Sequence, residues 1–162
     1  MGYYDADLAT PPEELLRLLA LLENRTDLEF VLAARVGLLG RRIERRMLRH
    51  YLGRVFASIA SAILRIPVYD TQCGAKAFRV SPAVREAISS PFRSSWVFDV
   101  ELIGRLLRGT RTVEPVPLSA FEEMPLRAWR DVSGSRLRLV DMARALVDLL
   151  MVGAALNRSS RR

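Results

Sequence analysis

Leu28-Glu29-Phe30-Val31-Leu32-Ala33-Ala34 is an almost unbroken apolar run that ends on Arg35. Its length suits a strand, and a strand apolar on both faces belongs between two layers. What flanks it decides the fold class. Upstream, Thr10-Pro11-Pro12-Glu13 carries helix-start signals. Thr10 can cap, Pro11 takes the first helical position, and Glu13 closes a capping box. Leu15, Leu16, Leu18, Leu19 and Leu22 then give that helix a wide apolar face. Downstream, a glycine-punctuated loop over Val36 to Gly40 leads into Arg41 to Arg65. There Ile43, Met47, Leu48, Tyr51, Leu52, Val55, Phe56, Ile59 and Ile63 recur at helical spacing. A buried strand between two helices predicts an α/β fold.

The remaining segments extend the pattern. Pro67 ends the long helix, and Val68 to Arg79 reads as a short irregular stretch with a turn at Gly74. Ser81 and Pro82 start a helix that reaches about Ser89, and Phe98 to Leu107 is helical up to Gly109. Thr112 to Leu118 is extended, and its two prolines confine it to a sheet edge. Glu122 to Gly134 reads as a polar loop, and Ser135 to Leu156 as the last helix. No repeat or linker divides the chain, so residues 1–157 form one domain and 158–162 a basic disordered tail.

Composition narrows the partners. Half of the 162 residues are apolar, which argues against disorder. The net charge is +7, and because Lys76 is the only lysine, 24 of the 25 basic residues are arginine. Arginine is the residue for bidentate phosphate contacts, so nucleic acid, anionic membrane or a phosphorylated substrate is expected. Cys73 is the only cysteine, which rules out an internal disulfide. Residues 1–10 lack the features of a signal peptide. The apolar stretch Leu137 to Leu156 is broken by Arg138, Asp141, Arg144 and Asp148, so it is no transmembrane span. The expected location is cytoplasmic, with peripheral contact at the inner face of an anionic membrane.

Five clusters can carry chemistry. Asp5 and Asp7 stand two residues apart after the short start Met1 to Tyr4. On a strand, both carboxylates would point to one face and could share a hard divalent cation. Arg42, Arg45, Arg46 and Arg49 recur at spacings of three and four with only Glu44 to offset them. Like charges on one face repel, so an anion is expected there. Arg35 closes its strand, where ligands gather in open α/β sheets. The stretch Tyr69-Asp70-Thr71-Gln72-Cys73-Gly74-Ala75-Lys76-Ala77-Phe78-Arg79 is dense in polar groups between apolar neighbours. Cys73 has no nearby histidine to activate it, which makes it a buried small side chain rather than a nucleophile. Asp99, in Trp96-Val97-Phe98-Asp99-Val100-Glu101-Leu102, either caps its helix or faces a pocket. Ser133-Gly134-Ser135-Arg136 is a flexible loop opening a helix, a way to wrap a phosphate as well as to cap.

In their order and spacing these segments resemble glycosyltransferase family 2, in the branch of dolichyl- or polyprenyl-phosphate sugar synthases. The most specific part is Asp70-Thr71-Gln72-Cys73-Gly74-Ala75-Lys76. The resemblance implies the C-terminal portion of a GT-A-type nucleotide-diphospho-sugar transferase fold, with an incomplete mixed sheet flanked by helices. It implies inverting transfer of a sugar from a nucleotide-diphosphate sugar to a polyprenyl phosphate. Asp5 and Asp7 would hold Mg2+ or Mn2+ on the diphosphate. Arg35 and Arg49 would meet the acceptor phosphate, and Arg136 would close on the diphosphate. Asp70 would be an active-site acid, with Asp99 beside it in the catalytic set. No nucleic-acid partner is expected on this reading.

The chain departs from the family in two respects. Ala9 stands where some relatives place a metal-side glutamine. The opening strands that hold the base and ribose are not in this sequence, so an isolated chain is expected to be impaired, or to work with a separate chain that supplies that half. The competing reading is a non-catalytic, Arg-rich module that binds anionic lipid or nucleic acid.

Overall fold

A computed structural model describes residues 1–44, 47–131 and 139–159. Along the chain lie strand β1 (Gly2–Tyr4), helix α1 (Pro12–Asn24), β2 (Phe30–Ala34), β3 (Arg42–Glu44) and helix α2 (Met47–Leu64). They are followed by β4 (Ala75–Phe78), α3 (Pro82–Ala87), α4 (Phe98–Arg108), β5 (Phe121–Pro125), β6 (Ala128–Arg130) and α5 (Leu139–Ser159). The main sheet has the order β1-β4-β2-β5. β4 runs antiparallel to both β1 and β2, and β2 runs parallel to β5, so the sheet is mixed. β3 and β6 form a separate two-stranded parallel pair.

β2 is buried along its whole length. Alternation sends its side chains to two cores. Val31 and Ala33 join Ala75, Ala77, Leu18 and Leu22 on the α1 side. Phe30 and Leu32 join Phe78, Ile103, Leu106, Leu149 and Val152 on the side of α2, α4 and α5. Phe30 and Phe78 stack there with ring centres 5.6 Å apart. The sheet is therefore the middle layer, as the opening run predicts.

Several boundaries differ from the sequence reading. Arg41 to Arg65 is not one helix: Arg42–Glu44 pairs with β6, and the helix starts at Met47. Over three residues an apolar position such as Ile43 fits either period, and here pairing opposite Trp129 decides it. Arg42 thus leaves the expected arginine ladder, and Arg45 and Arg46 lie outside the described residues. The capping box at Thr10 does not form. Pro11 takes the cap position with no side-chain bond, and Thr10 is buried. Glu14, buried in place of Glu13, accepts from the amides of Arg127 (2.9 Å) and Ala128 (3.2 Å).

The stretch read as irregular contains β4, a central strand. The proline-bearing segment 112–118 joins no sheet, and the edge strands of the main sheet are β1 and β5 instead. Part of the expected polar loop is thus strand. Ser81 does cap α3, accepting from the Val84 amide. α5 continues through Ser159, and residues 160–162 of the expected tail lie outside the described residues. Among the described residues no helix is long and apolar enough to cross a membrane.

Candidate active site at one end of the sheet

Because β1 and β2 run together and β4 runs against them, three chain segments meet at one end of the sheet. Asp5 follows β1, Arg35 follows β2, and the loop 69–74 leads into β4. The Asp5 amide donates to the Gly74 carbonyl at 2.7 Å, which ties the first segment to the third. Asp5 and Asp7 lie in the turn just past β1 rather than on the strand, and both are solvent-exposed. Asp7 accepts from the Ala9 amide at 2.9 Å, and Leu8 between them takes a positive φ of 56°. The Asp5 carboxylate packs directly on Gly74, so closely that a side chain there would displace it. Partial burial, then the charges of Asp7 and Asp99, push the Asp5 carboxyl above its usual range; Lys76 and Arg35 pull it back.

Arg35 and Asp70, expected as separate contacts, form one ion pair. Arg35 donates from Nε to Asp70 at 2.7 Å and from a terminal nitrogen at 2.8 Å. Its backbone amide donates to the same carboxylate at 3.1 Å, and the Gln72 amide does so at 3.3 Å. Burial, the largest single influence, would lower the affinity of Arg35 for its proton; the charge of Asp70, its hydrogen bonds and the smaller contributions of Cys73 and Asp5 together outweigh it, and the net shift is upward. The guanidinium also lies 5.2 Å from the Trp129 ring centre. Asp70 is held from behind, because Glu123 of β5 accepts from the amides of Tyr69 (2.8 Å) and Asp70 (2.9 Å). Arg54 lies 3.9 Å above the Tyr69 ring and donates to the Tyr69 carbonyl.

Asp99 does not cap α4; Val97 occupies that position. Its carboxylate turns to the sheet, where the Tyr3 hydroxyl donates to it and Lys76 Nζ lies 3.1 Å away. Lys76 has no exposed surface and also donates to the Cys73 carbonyl at 2.7 Å. Burial, then the Asp99 charge, push the Tyr3 phenol upward. Burial, then the Asp70 charge, push the Cys73 thiol up to about 12, which suits the structural role expected of it. In the same loop Thr71 Oγ1 and Gln72 Nε2 are buried without a hydrogen-bond partner, a cost that calls for an explanation such as a ligand.

Tyr3, Lys76, Glu123 and Trp129 are the members that sequence reasoning did not assign. Lys76 alone carried a signal, as the single lysine of an arginine-rich chain. Arg136 and the side chain of Arg49 lie outside the described residues.

Asp5 and Asp7 offer hard oxygen donors that suit Mg2+ or Mn2+. Among the described residues no group of three or more His, Cys, Asp and Glu is arranged to hold a metal. A cation shared with phosphate oxygens is commonly held by one or two carboxylates, with phosphate and water filling the other positions.

In sequence the chain is similar to two proteins named as dolichyl-phosphate beta-glucosyltransferases, in line with the family resemblance carried by its motifs. It is 28% identical over 114 residues to a dolichyl-phosphate beta-glucosyltransferase of Saccharomyces cerevisiae, covering 70% of this chain and 31% of that protein. It is 27% identical over 152 residues to a dolichyl-phosphate beta-glucosyltransferase of Trichomonas vaginalis, covering 91% of this chain and 42% of that one. The chain thus spans less than half the length of these relatives. No family model matches it.

Proposed function

We propose that this chain carries the metal-side carboxylates and the acceptor-phosphate side of an inverting sugar transfer, from a nucleotide-diphosphate sugar to a polyprenyl phosphate. The observation that carries the reading is the meeting of Asp5 and Asp7 with the Arg35–Asp70 pair at one sheet end. The relatives named for dolichyl-phosphate glucosyl transfer support it. On this reading the fold is part of a GT-A-type transferase.

A lipid phosphate is already anionic and can attack the anomeric carbon without a strong base. Arg35 would screen that phosphate, and Asp70 would keep the guanidinium oriented. A guanidinium has five N–H donors, so its two side-chain bonds to Asp70 still leave donors for a phosphate. Asp5 and Asp7 would hold Mg2+ or Mn2+, which stabilises charge on the departing diphosphate when bound. Arg49 and Arg136 remain the proposed further phosphate contacts. Asp99 would organise the site through Tyr3 and Lys76 rather than take a proton.

The proposed place of work is the inner face of a membrane. Met47, Tyr51 and Val55 of α2 and Leu146, Val147, Leu150 and Met151 of α5 are exposed apolar side chains. With the +7 charge they would suit an anionic interface.

The test is transfer of labelled sugar from nucleotide sugars to polyprenyl phosphate with Mg2+ or Mn2+, by the chain and by any longer gene product that contains it. Asp5→Ala and Asp7→Ala are expected to abolish turnover. Intact turnover in both variants would sink the metal assignment. Salt-sensitive binding to lipid or RNA without any sugar transfer would favour an arginine-rich binding module instead.

A further inference from the structure

A fully buried lysine ties the proposed metal carboxylate to the rest of the site. Lys76 sits in β4 between Tyr3 of β1 and Leu32 of β2. Its side chain lies on the α2, α4 and α5 side of the sheet, against Asp99 of α4, and has no exposed surface. Burying an ammonium is expensive, and apolar side chains of similar volume commonly replace a buried ion pair with no loss of stability. Stability therefore gives no reason for this pair. The contacts of Lys76 do give one.

Lys76 Nζ meets Asp99 at 3.1 Å on one side and donates to the Cys73 carbonyl at 2.7 Å on the other. Cys73 leads into Gly74, whose carbonyl accepts the Asp5 amide at 2.7 Å and whose Cα supports the Asp5 carboxylate. Three residues before Cys73 stands Asp70, the partner of Arg35. A single ammonium thus fixes the end of the loop that carries both halves of the site. Glu123 fixes the loop's other end through the Tyr69 and Asp70 amides.

We propose that Lys76, anchored by Asp99 and Tyr3, is a positioning residue: by holding the Cys73 carbonyl it sets the Gly74 backbone on which Asp5 rests. The assignment rests on the metal role proposed for Asp5 and Asp7. Lys76 touches no substrate on this reading and acts through the backbone.

The experiment compares the parent chain with Lys76→Met and with Lys76→Met/Asp99→Leu. The paired replacement removes one positive and one negative charge, so the field at Asp5 changes little. It also keeps a testable variant should the single change fail to fold. Thermal melting checks folding, Mn2+ titration followed by electron paramagnetic resonance gives affinity, and hydrogen exchange reports the Asp5 amide. The double variant is expected to melt within a few degrees of the parent. Its Mn2+ dissociation constant should rise about tenfold, the lower end of what losing a supporting residue behind a metal ligand costs. The Asp5 amide should exchange faster while the β2 amides keep their protection. A folded variant with parental Mn2+ affinity and a parental Asp5 exchange rate would overturn the proposal. If the parent itself binds no Mn2+, the metal assignment fails instead, and the Asp5 exchange rate alone decides the role of Lys76.

Discussion

Replacing Asp70 by asparagine tests the central pair of the site. The amide would keep one acceptor oxygen and would turn an NH2 group toward a guanidinium that has only donors. The Arg35 and Asp70 side chains are 13% and 8% exposed, so the orphaned charge could not relax far into water. Removing one partner of a buried pair costs ~3–5 kcal/mol, and the residual exposure of Arg35 places this case near the lower end. For a chain of this size each kcal/mol shifts the melting temperature by ~2–4 °C, so a loss of ~3 kcal/mol corresponds to a fall of ~6–12 °C. The assay is thermal unfolding followed by circular dichroism at low and at high salt. Salt should change the difference little, because a buried pair is weakly screened. An Arg35→Met/Asp70→Leu variant should recover much of the loss, since no charge is then left without its partner. A fall below about 2 °C, or one that vanishes in high salt, would refute the claim that the pair is buried and interdependent.

Three further outcomes are expected. Gly74→Ala should weaken Mn2+ binding at least severalfold with a smaller effect on melting, because the new methyl displaces the Asp5 carboxylate; titration of the variant checks it. The Asp5 carboxyl has a folded-state pKa above its ordinary 3.8, so the folded chain holds that proton more tightly and stability falls as pH rises from 3.8 through the raised value. Asp5→Asn should therefore melt above the parent at neutral pH without divalent metal, and the advantage should disappear below the ordinary carboxyl range. The buried Cys73 thiol, pushed up to about 12, should resist iodoacetamide in the native chain and react once denaturant is added, as mass spectrometry would show.

The legible parts of the fold are those where one physical pattern dominates. β2 could be read because both of its faces are apolar, and Ser81-Pro82 because cap and first position were both filled by preferred residues. β4 could not, because one of its four residues is a lysine whose charge is neutralised by Asp99, far away in sequence. β5 carries Glu122 and Glu123 and looks like a loop until the Tyr69 and Asp70 amides are seen to need Glu123. Residues 112–118 have the strand-like composition that β5 lacks, but Pro115 and Pro117 have no amide hydrogens to give a ladder. In the site, the sequence supplied Asp5, Asp7, Arg35, Asp70 and Asp99 as separate residues. It could not supply the pairing of Arg35 with Asp70, which are 35 positions apart.

That pairing bears on mechanism, because it sorts the acids of the site by what they are free to do. Asp70 is spent on Arg35 and two backbone amides, Asp99 on Tyr3 and Lys76, and Glu123 on the amides that shape the loop. A carboxylate that gives up its donors to take a substrate proton would release the loop it holds. Asp5 and Asp7 differ in being exposed at the rim, where a cation can reach them. An arrangement of this kind commits its inner acids to geometry and its outer acids to charge. It suits a reaction whose nucleophile arrives already ionised, as the proposed polyprenyl-phosphate acceptor does.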